Sequence, residues 1–286
     1  MRVEIAARRE NILGEGPLWD EARGRLYWVD IRAKRIEWVE PDGGAEGRYD
    51  LAVRPSALAL REAGGLLVAA DRCVGVLDVQ TGDFDPRVAF DEDRPNNRTN
   101  DGGMGADGRF WFGTMDDGAE PERGRLYALS PDWRLATMRE NIGIPNGIVG
   151  VRSGMLYVAD SLEQVIWSHR VEAQALSKPS LFFSARGEVF TPDGAAIDED
   201  GFLWSAQWDG ACILRFSPEG GLERKIDLPV SRPTACAFGG PDLSTLFVTS
   251  ARDGLGADQL AREPLAGSVF SLRTPVRGVR GPMFAG

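Results

Sequence analysis

A short apolar strand that follows a turn residue recurs six times along this chain. Its turn residues lie 41 to 47 positions apart, which is the length of one blade of a β-propeller. A single repeat cannot bury both faces of its own sheet, so neighbouring repeats have to pack against one another. We therefore predict an all-β chain that forms one six-bladed β-propeller domain over residues 1–286. The six turn residues are Gly24, Gly65, Gly108, Gly154, Gly201 and Ser244.

Further strands are predicted on both sides of each repeated strand. Apolar residues alternate with polar ones in the segment that follows, and Gly, Pro or Asp ends it, which is typical of a hairpin. The segment that comes before each repeated strand is rich in small residues, as expected of inner strands crowded near an axis. We expect a strand around Arg2–Ala7 to complete the last blade, and a polar loop over Gly254–Pro264.

Polar residues interrupt these inner segments 8 to 10 positions before each turn residue. In a closed ring the six positions would meet at one mouth of the central channel. Turn-forming Asp, Asn, Ser and Thr can instead bind their own backbone, but Glu is not a turn-forming residue. The six are Glu15, Ser56, Asn100, Asn146, Asp193 and Thr234.

Three of these six residues form a candidate metal site. Glu15, Asn146 and Asp193 supply two carboxylates and one amide carbonyl, and oxygen-only ligands suit hard divalent cations such as Ca²⁺, Mg²⁺ or Mn²⁺. Two anionic ligands leave coordination positions open, as in a catalytic site. On spacing alone, unrelated turn residues remain the alternative.

The charge and the distribution of apolar residues argue against nucleic-acid and membrane partners. Lys and Arg total 33 against 43 Asp and Glu, a net charge of −10, and an acidic surface repels nucleic acid. No apolar run approaches the length of a membrane span, and residues 1–5 lack the core of a signal peptide. We expect a cytoplasmic protein, monomeric or weakly homo-oligomeric, without nucleic-acid or membrane partners.

Cysteine and histidine are too few for several kinds of site. Cys73, Cys212 and Cys236 have no CxxC spacing and are expected to be buried, reduced thiols. The only histidine, His169, is expected to be solvated on an outer strand. With a single histidine in the chain, placed on an outer strand, we expect no Ser-His-Asp triad, no Cys-His dyad and no histidine-rich zinc site.

Several short motifs recur in order and at propeller spacing over essentially the whole chain. They are Leu13–Pro17, Val29–Ile31, Asn96–Gly102, Phe112–Met115, Pro145–Gly147, Tyr157–Ser161, Pro192–Gly194, Cys236–Gly240 and Val248–Gly254. Together these motifs resemble the regucalcin/senescence marker protein–gluconolactonase family. This resemblance implies a six-bladed propeller that hydrolyses the ester bond of a sugar lactone to give an aldonic acid, as a gluconolactonase or xylonolactonase does.

The same resemblance implies roles for particular residues. Glu15, Asn146 and Asp193 would bind one divalent ion, which could be Ca²⁺, Mn²⁺, Mg²⁺, Zn²⁺ or Fe²⁺. Arg98 and Asn100 would contact the sugar lactone, and Asp101 would support their loop as part of the substrate-binding set. With the metal acting as a Lewis acid, Asp193 is our choice for the general base.

Two positions near this predicted site leave alternatives open. Animal members of the family carry an acidic substrate contact shortly after the Gly-Thr-Met stretch. Direct alignment places Gly118 there, with Asp116 and Asp117 beside it. Asp253 is expected to close a turn near the active face, with a place near the metal ligands as the alternative.

Two other functions remain open for a propeller of this kind. One is a calcium-dependent arylesterase or phosphotriesterase, and the other is a calcium-binding propeller without catalysis. A purely structural propeller has no need for Glu15, Asn146 and Asp193 in one channel, which favours the metalloenzyme.

Overall fold

The computed structural model describes residues 1–41, 43–172 and 175–286. Within these ranges the chain forms six four-stranded antiparallel sheets and one short helix. The sheets confirm the predicted all-β, six-bladed propeller. The chain divides into two compact units with three sheets each: Met1–Arg54 with Gly187–Arg280, and Pro55–Arg186 with Gly281–Gly286. We call them unit 1 and unit 2.

The strands are short and follow one another closely along the chain. The first five are β1 (Val3–Ala7), β2 (Gly14–Asp20), β3 (Arg25–Asp30), β4 (Arg35–Val39) and β5 (Glu46–Asp50). The next twelve, all in unit 2, are β6 (Pro55–Leu60), β7 (Leu66–Ala70), β8 (Cys73–Leu77), β9 (Phe84–Ala89), β10 (Asn97–Met104), β11 (Phe110–Asp116), β12 (Gly124–Leu129), β13 (Leu135–Ile142), β14 (Pro145–Val151), β15 (Met155–Asp160), β16 (Val165–Arg170) and β17 (Ser180–Ser184). The remaining elements are β18 (Thr191–Ile197), β19 (Leu203–Trp208), β20 (Cys212–Phe216), β21 (Leu222–Asp227), β22 (Pro233–Gly239), β23 (Thr245–Ser250), the helix α1 (Ala257–Arg262) and β24 (Val269–Arg273).

Each sheet uses strands that are consecutive along the chain, with one exception. Strands β2–β5, β6–β9, β10–β13, β14–β17 and β18–β21 form five sheets, and the sixth has the order β1-β24-β23-β22. In that sheet β1 pairs antiparallel with β24, with Val3 opposite Leu272. This confirms the prediction that a strand near the start of the sequence completes the last blade.

The repeated apolar strands are the second strands of their sheets and form the core. β3, β7, β11, β15, β19 and β23 begin within two residues of the six turn residues. Trp28, Trp111 and Trp204 on three of them are almost completely buried. A run that is apolar at every position is expected when both faces of a strand are covered. By contrast, the fourth strands β5, β9, β13, β17 and β21 are mostly exposed.

His169 is buried, so the prediction of a solvated side chain was wrong. It lies on the third strand of its sheet, β16, and is 1% exposed. Nδ1 is 3.0 Å from the Ser177 carbonyl oxygen and therefore carries the proton, while Nε2 lies 3.5 Å from Nη1 of Arg139. Burial and the Arg139 charge both lower the pKa of His169, because each disfavours the cationic ring.

The cysteines are free thiols, as predicted, with Cys212 and Cys236 buried and Cys73 half-buried. Burial raises the pKa of Cys73 and of Cys212 to about 11, so neither is a ready nucleophile. The expected polar loop over Gly254–Pro264 contains α1, a helix without buried residues. Across the described ranges, none of the helical segments has the length and hydropathy needed to cross a bilayer.

Candidate functional site

In unit 1 the structure places Glu15 and Asp193 at the start of two inner strands. Glu15 lies on β2 and Asp193 on β18, and both side chains are buried. β22 packs beside both strands. Thr234 at the start of β22 donates its hydroxyl to the Gly14 carbonyl. The two carboxylates thus belong to strands that flank the same neighbour.

The approach of β18 to β22 beside Asp193 depends on a glycine. A Cβ atom placed on Gly194 would lie 2.4 Å from the Cβ of Ala235, which is closer than two carbon atoms can approach. Any other residue here would push the two strands apart and displace the backbone of Asp193.

In unit 2 the predicted residues Arg98, Asn100 and Asn146 form one continuous hydrogen-bond relay. Nη1 of Arg98 donates to Oδ1 of Asn100 at 2.9 Å. Nδ2 of Asn100 then donates to Oδ1 of Asn146 at 2.9 Å and to the Pro145 carbonyl at 3.1 Å. Nδ2 of Asn146 donates in turn to Oγ of Ser161 at 2.9 Å. All three predicted residues are buried.

This relay determines which atom of Asn146 is available as a ligand. A guanidinium only donates hydrogen bonds, so the atom of Asn100 that faces Arg98 must be oxygen. The other amide atom of Asn100 is then a donor, and it requires an oxygen on Asn146. Because Ser161 binds the nitrogen of Asn146, the amide presents its oxygen as the atom that can bind a cation.

Asp101 supports the neighbouring inner strand. Its Oδ2 accepts the backbone N–H of Ile148 on β14 at 3.3 Å, two residues beyond Asn146. The Gly102 and Gly147 N–H groups also stabilise the carboxylate, but burial dominates and raises the pKa of Asp101 to about 6. Asp101 therefore ties β10 to the part of β14 that carries Asn146.

Asp117 lies beside Arg98, at the stretch where sequence alignment was ambiguous. Its Oδ1 accepts a hydrogen bond from Nε of Arg98 at 2.9 Å. Asp116 is buried and accepts the Gly118 N–H at 2.8 Å, so it stabilises the turn. Of the two acidic residues, Asp117 is the one bound to a predicted substrate-binding side chain.

The other polar residues considered earlier bind protein groups. The Ser56 hydroxyl donates to the Ala69 carbonyl on the neighbouring strand β7 at 3.3 Å, so it binds a backbone group, but not one of its own turn. Asp253 pairs with Nε of Arg32 at 3.3 Å, and its carbonyl accepts a hydrogen bond from Arg232. Ser161, which holds the nitrogen of Asn146, was not predicted, because a serine in a turn is too common to be a signal.

The donor set fits a hard divalent cation. The predicted ligands supply carboxylate oxygens from Glu15 and Asp193 and an amide oxygen from Asn146, which Ca²⁺, Mg²⁺ and Mn²⁺ prefer. In the described ranges no cluster of three or more His, Cys, Asp or Glu side chains has metal-binding geometry. The predicted set contains two carboxylates and one amide, and so only two side chains of these four types.

Comparison with known proteins decides the family. Residues 13–252 match the model of the SMP-30/gluconolactonase/LRE-like region. The chain belongs to this family. Its membership confirms the prediction of a hydrolase that acts on carboxylic esters.

Three relatives illustrate the likeness. The chain is 35% identical to a 6-deoxy-6-sulfogluconolactonase of Pseudomonas putida over 99% of both chains. It is 33% identical to regucalcin of Oryctolagus cuniculus over 100% of this chain and 99% of the relative. The crystal structure of a calcium-binding protein, regucalcin, from Agrobacterium tumefaciens superposes with a TM-score of 0.94 at 29% identity, covering 99% of this chain and 97% of the other.

Proposed function

We propose that this chain hydrolyses a sugar lactone to the aldonic acid with the help of one divalent metal ion. Family membership supports the reaction class. The observation that supports the metal requirement is the relay from Arg98 through Asn100, which leaves the oxygen of Asn146 as the amide atom that could bind an ion. The buried carboxylates of Glu15 and Asp193 supply the negative charge that a buried divalent cation needs.

Glu15, Asn146 and Asp193 would hold the ion, which when bound supplies Lewis acidity toward the lactone carbonyl. Asp193 is assigned the general base. It would take a proton from water as the water oxygen bonds to the carbonyl carbon. It would then return that proton to the ring oxygen as the bond between the carbonyl carbon and the ring oxygen breaks.

Arg98 and Asn100 would orient the sugar. Both hydrogens of the Asn100 amide are committed to Pro145 and Asn146, so Asn100 has only acceptor capacity left on Oδ1. It can therefore accept a hydrogen bond from a sugar hydroxyl. Arg98 would contribute positive charge on the carbonyl side of the substrate.

The substrate class can be tested with a panel of aldonolactones. Gluconolactone, xylonolactone and arabinonolactone, together with a 6-sulfo-substituted gluconolactone, would be assayed on chelator-treated protein before and after each metal is added. The sulfonated compound is included because of the name of the Pseudomonas putida relative. We expect hydrolysis of at least one lactone that depends on added metal. Metal-independent hydrolysis would refute the proposal.

The role of Asp193 can be tested by the Asp193→Asn variant. We expect it to lose lactonase activity by about a hundredfold or more, because it removes both a charged ligand and the base, while its Tm changes little. A matched control is Asp198→Asn, which alters another buried aspartate next to the same strand and should stay active. A fully active Asp193→Asn variant would show that the base has been misassigned.

Calcium binding without catalysis is the second candidate, because the Agrobacterium tumefaciens neighbour is described as a calcium-binding protein. This candidate predicts stoichiometric Ca²⁺ binding with no turnover of any lactone in the panel. Calorimetric titration of Ca²⁺ beside the lactone assay separates the two functions.

A further inference from the structure

Two buried aspartates lie at equivalent places next to Glu15 and Asn146, one in each unit. Asp30 is the last residue of β3, and Asp160 is the last residue of β15. Their exposed fractions are 0% and 2%. Asp30 lies opposite Gly14, directly before Glu15, and Asp160 lies opposite Pro145, directly before Asn146.

Asp30 holds the backbone that leads into Glu15. Its Oδ2 accepts the Ile12 N–H at 3.0 Å and its Oδ1 accepts the Leu13 N–H at 3.2 Å. These donors lie three and two positions before Glu15. The next residue, Ile31, donates its N–H to the Leu13 carbonyl at 3.0 Å. Leu13 is therefore held through both of its backbone polar groups.

Asp160 repeats this arrangement ahead of Asn146. Its Oδ2 accepts the Gly143 N–H at 2.8 Å and its Oδ1 accepts the Ile144 N–H at 3.1 Å. Again the donors lie three and two positions before the predicted ligand. The next residue, Ser161, donates its N–H to the Ile144 carbonyl at 3.0 Å. The same Ser161 holds the amide nitrogen of Asn146.

The backbone after each predicted ligand is also the same. Gly16 follows Glu15 with φ +53°, and Gly147 follows Asn146 with φ +52°. Both glycines lie where the strand register shifts, as in a β-bulge. Residues with a side chain rarely adopt this left-handed conformation. Each ligand therefore lies between a carboxylate-bound segment and a bulge glycine.

A simple turn-capping role explains only some of these bonds. Asp30 also accepts the Ala33 N–H, and Asp160 accepts those of Leu162 and Glu163, as an aspartate in a turn commonly does. Capping the turn does not require the bonds to the segments ahead of β2 and β14. Those bonds fix the two residues that precede each ligand strand.

We propose that Asp30 and Asp160 are positioning residues that set the direction of the metal ligands Glu15 and Asn146 through the backbone. This inference rests on the proposed function. Each carboxylate offers two acceptor oxygens to adjacent N–H groups, and an amide at the same place offers only one. Loss of one bond would let the segment shift and misdirect the ligand oxygen.

The test is calorimetric titration of Mn²⁺ into chelator-treated Asp30→Asn and Asp160→Asn variants. We expect the Kd for Mn²⁺ to rise by about tenfold or more in each, the scale found when residues that orient metal ligands are changed. The matched control is Asp198→Asn. Asp198 is buried, accepts the Asp200 and Phe202 N–H groups at 3.1 and 2.9 Å and pairs with Arg215 at 2.6 Å, as Asp30 pairs with Arg35 at 3.3 Å, but it follows the far end of β18 from Asp193. Its variant should bind Mn²⁺ as the wild type does.

Each outcome decides the proposal. A wild-type Kd in both Asp30→Asn and Asp160→Asn, or an equal rise in Asp198→Asn, would overturn it. If one variant fails to fold, the other decides, because the two aspartates belong to different units. If both fail, hydrogen exchange of wild-type amides 12, 13, 143 and 144 decides. Added protection by Mn²⁺ supports the proposal, and unchanged exchange refutes it.

Failure of the proposed function gives a different result. If wild-type protein does not bind Mn²⁺, both the metal site and the positioning roles are wrong. If the wild type binds Mn²⁺ and Glu15→Gln abolishes binding, while Asp30→Asn and Asp160→Asn bind normally, only the positioning inference fails.

Discussion

Asn100 connects the charged side chain of Arg98 to the predicted metal ligand Asn146. Its effect on metal affinity can therefore be measured separately from its effect on stability. Replacing it by Leu keeps the number and branching of the heavy atoms but leaves Arg98 and Asn146 without their shared partner. We expect the Asn100→Leu variant to lose about 1–3 kcal/mol of stability and to bind Mn²⁺ at least several-fold more weakly. Chemical denaturation and calorimetric titration would measure the two effects.

Asn97 provides the matched control on the same strand. Its Nδ2 also makes two hydrogen bonds, to Asp91 at 2.8 Å and to the Arg123 carbonyl at 2.9 Å, but neither partner is a predicted ligand. Asn97→Leu should therefore cost similar stability and leave Mn²⁺ affinity unchanged. If the two variants weaken Mn²⁺ binding equally, the relay does not orient Asn146.

Titration of Asp101 is expected to make the stability of the protein depend on pH. Burial raises the pKa of its carboxyl from an ordinary 3.8 to about 6. The folded state therefore binds this proton more tightly, and the resulting stabilisation, fully present below about pH 4, is lost as the pH rises through 6. The loss is at most about 3 kcal/mol.

The Asp101→Asn variant removes this titration. The difference in Tm, variant minus wild type, should rise between about pH 4 and pH 7, whatever constant cost the lost carboxylate adds. Thermal unfolding across that range measures it. Parallel curves for the two proteins would show that Asp101 does not titrate in this way.

At the level of elements, β1 protects the edge of β24. Without β1, the backbone of Val269–Arg273 would keep β23 on one side but present an open strand edge on the other. We expect deletion of residues 1–7 to lower Tm by roughly 10 °C, given several lost backbone hydrogen bonds, and to promote self-association. Deletion of residues 1–2 alone leaves β1 intact and is the control. Thermal unfolding and size-exclusion chromatography test both, and equal behaviour of the two deletions would contradict the role of β1.

The sequence predicts the strands that form the core, because their buried side chains are apolar. β3 and β11 are buried at nearly every position, and the continuous apolar run in the middle of each strand is conspicuous in the sequence. β5 and β21 were missed because their residues are mostly polar and exposed, and charged edge strands look like loops. The exposure of His169 was predicted wrongly because the alternation of apolar and polar residues does not show whether both faces of a third strand are buried.

The candidate site was predicted as a set of residues but not as a network. Arg98, Asn100 and Asn146 were each named, yet the direction of the relay depends on which amide atom faces which neighbour. The sequence assigns no specific role to Asp30 or Asp160, because an aspartate after a strand is a general turn signal. Only the structure shows that their carboxylates bind the backbone ahead of Glu15 and Asn146.

At the level of the whole molecule, Phe284 packs the segment Gly281–Gly286 against the core of unit 2. It is completely buried in a cluster with residues such as Phe110, and its ring meets Trp133 edge-on at 5.4 Å. We expect Phe284→Ala to lower the free energy of unfolding by about 3–5 kcal/mol, measured by chemical denaturation. Met283→Ala, at a neighbouring residue that is 41% exposed, should have little effect. Similar losses in both variants would contradict this account.

The pairing of Val3 with Leu272 also limits when the last sheet can be completed during translation. At the usual rates of translation, roughly 15 to 50 seconds separate the synthesis of these two residues. Throughout that interval β1 exists without the strand it pairs with, and the sheet that contains β22 and β23 cannot be finished. The last blade is therefore completed only after Leu272 has been synthesised, and until then the edges of its strands are open to chaperones that bind unpaired strands.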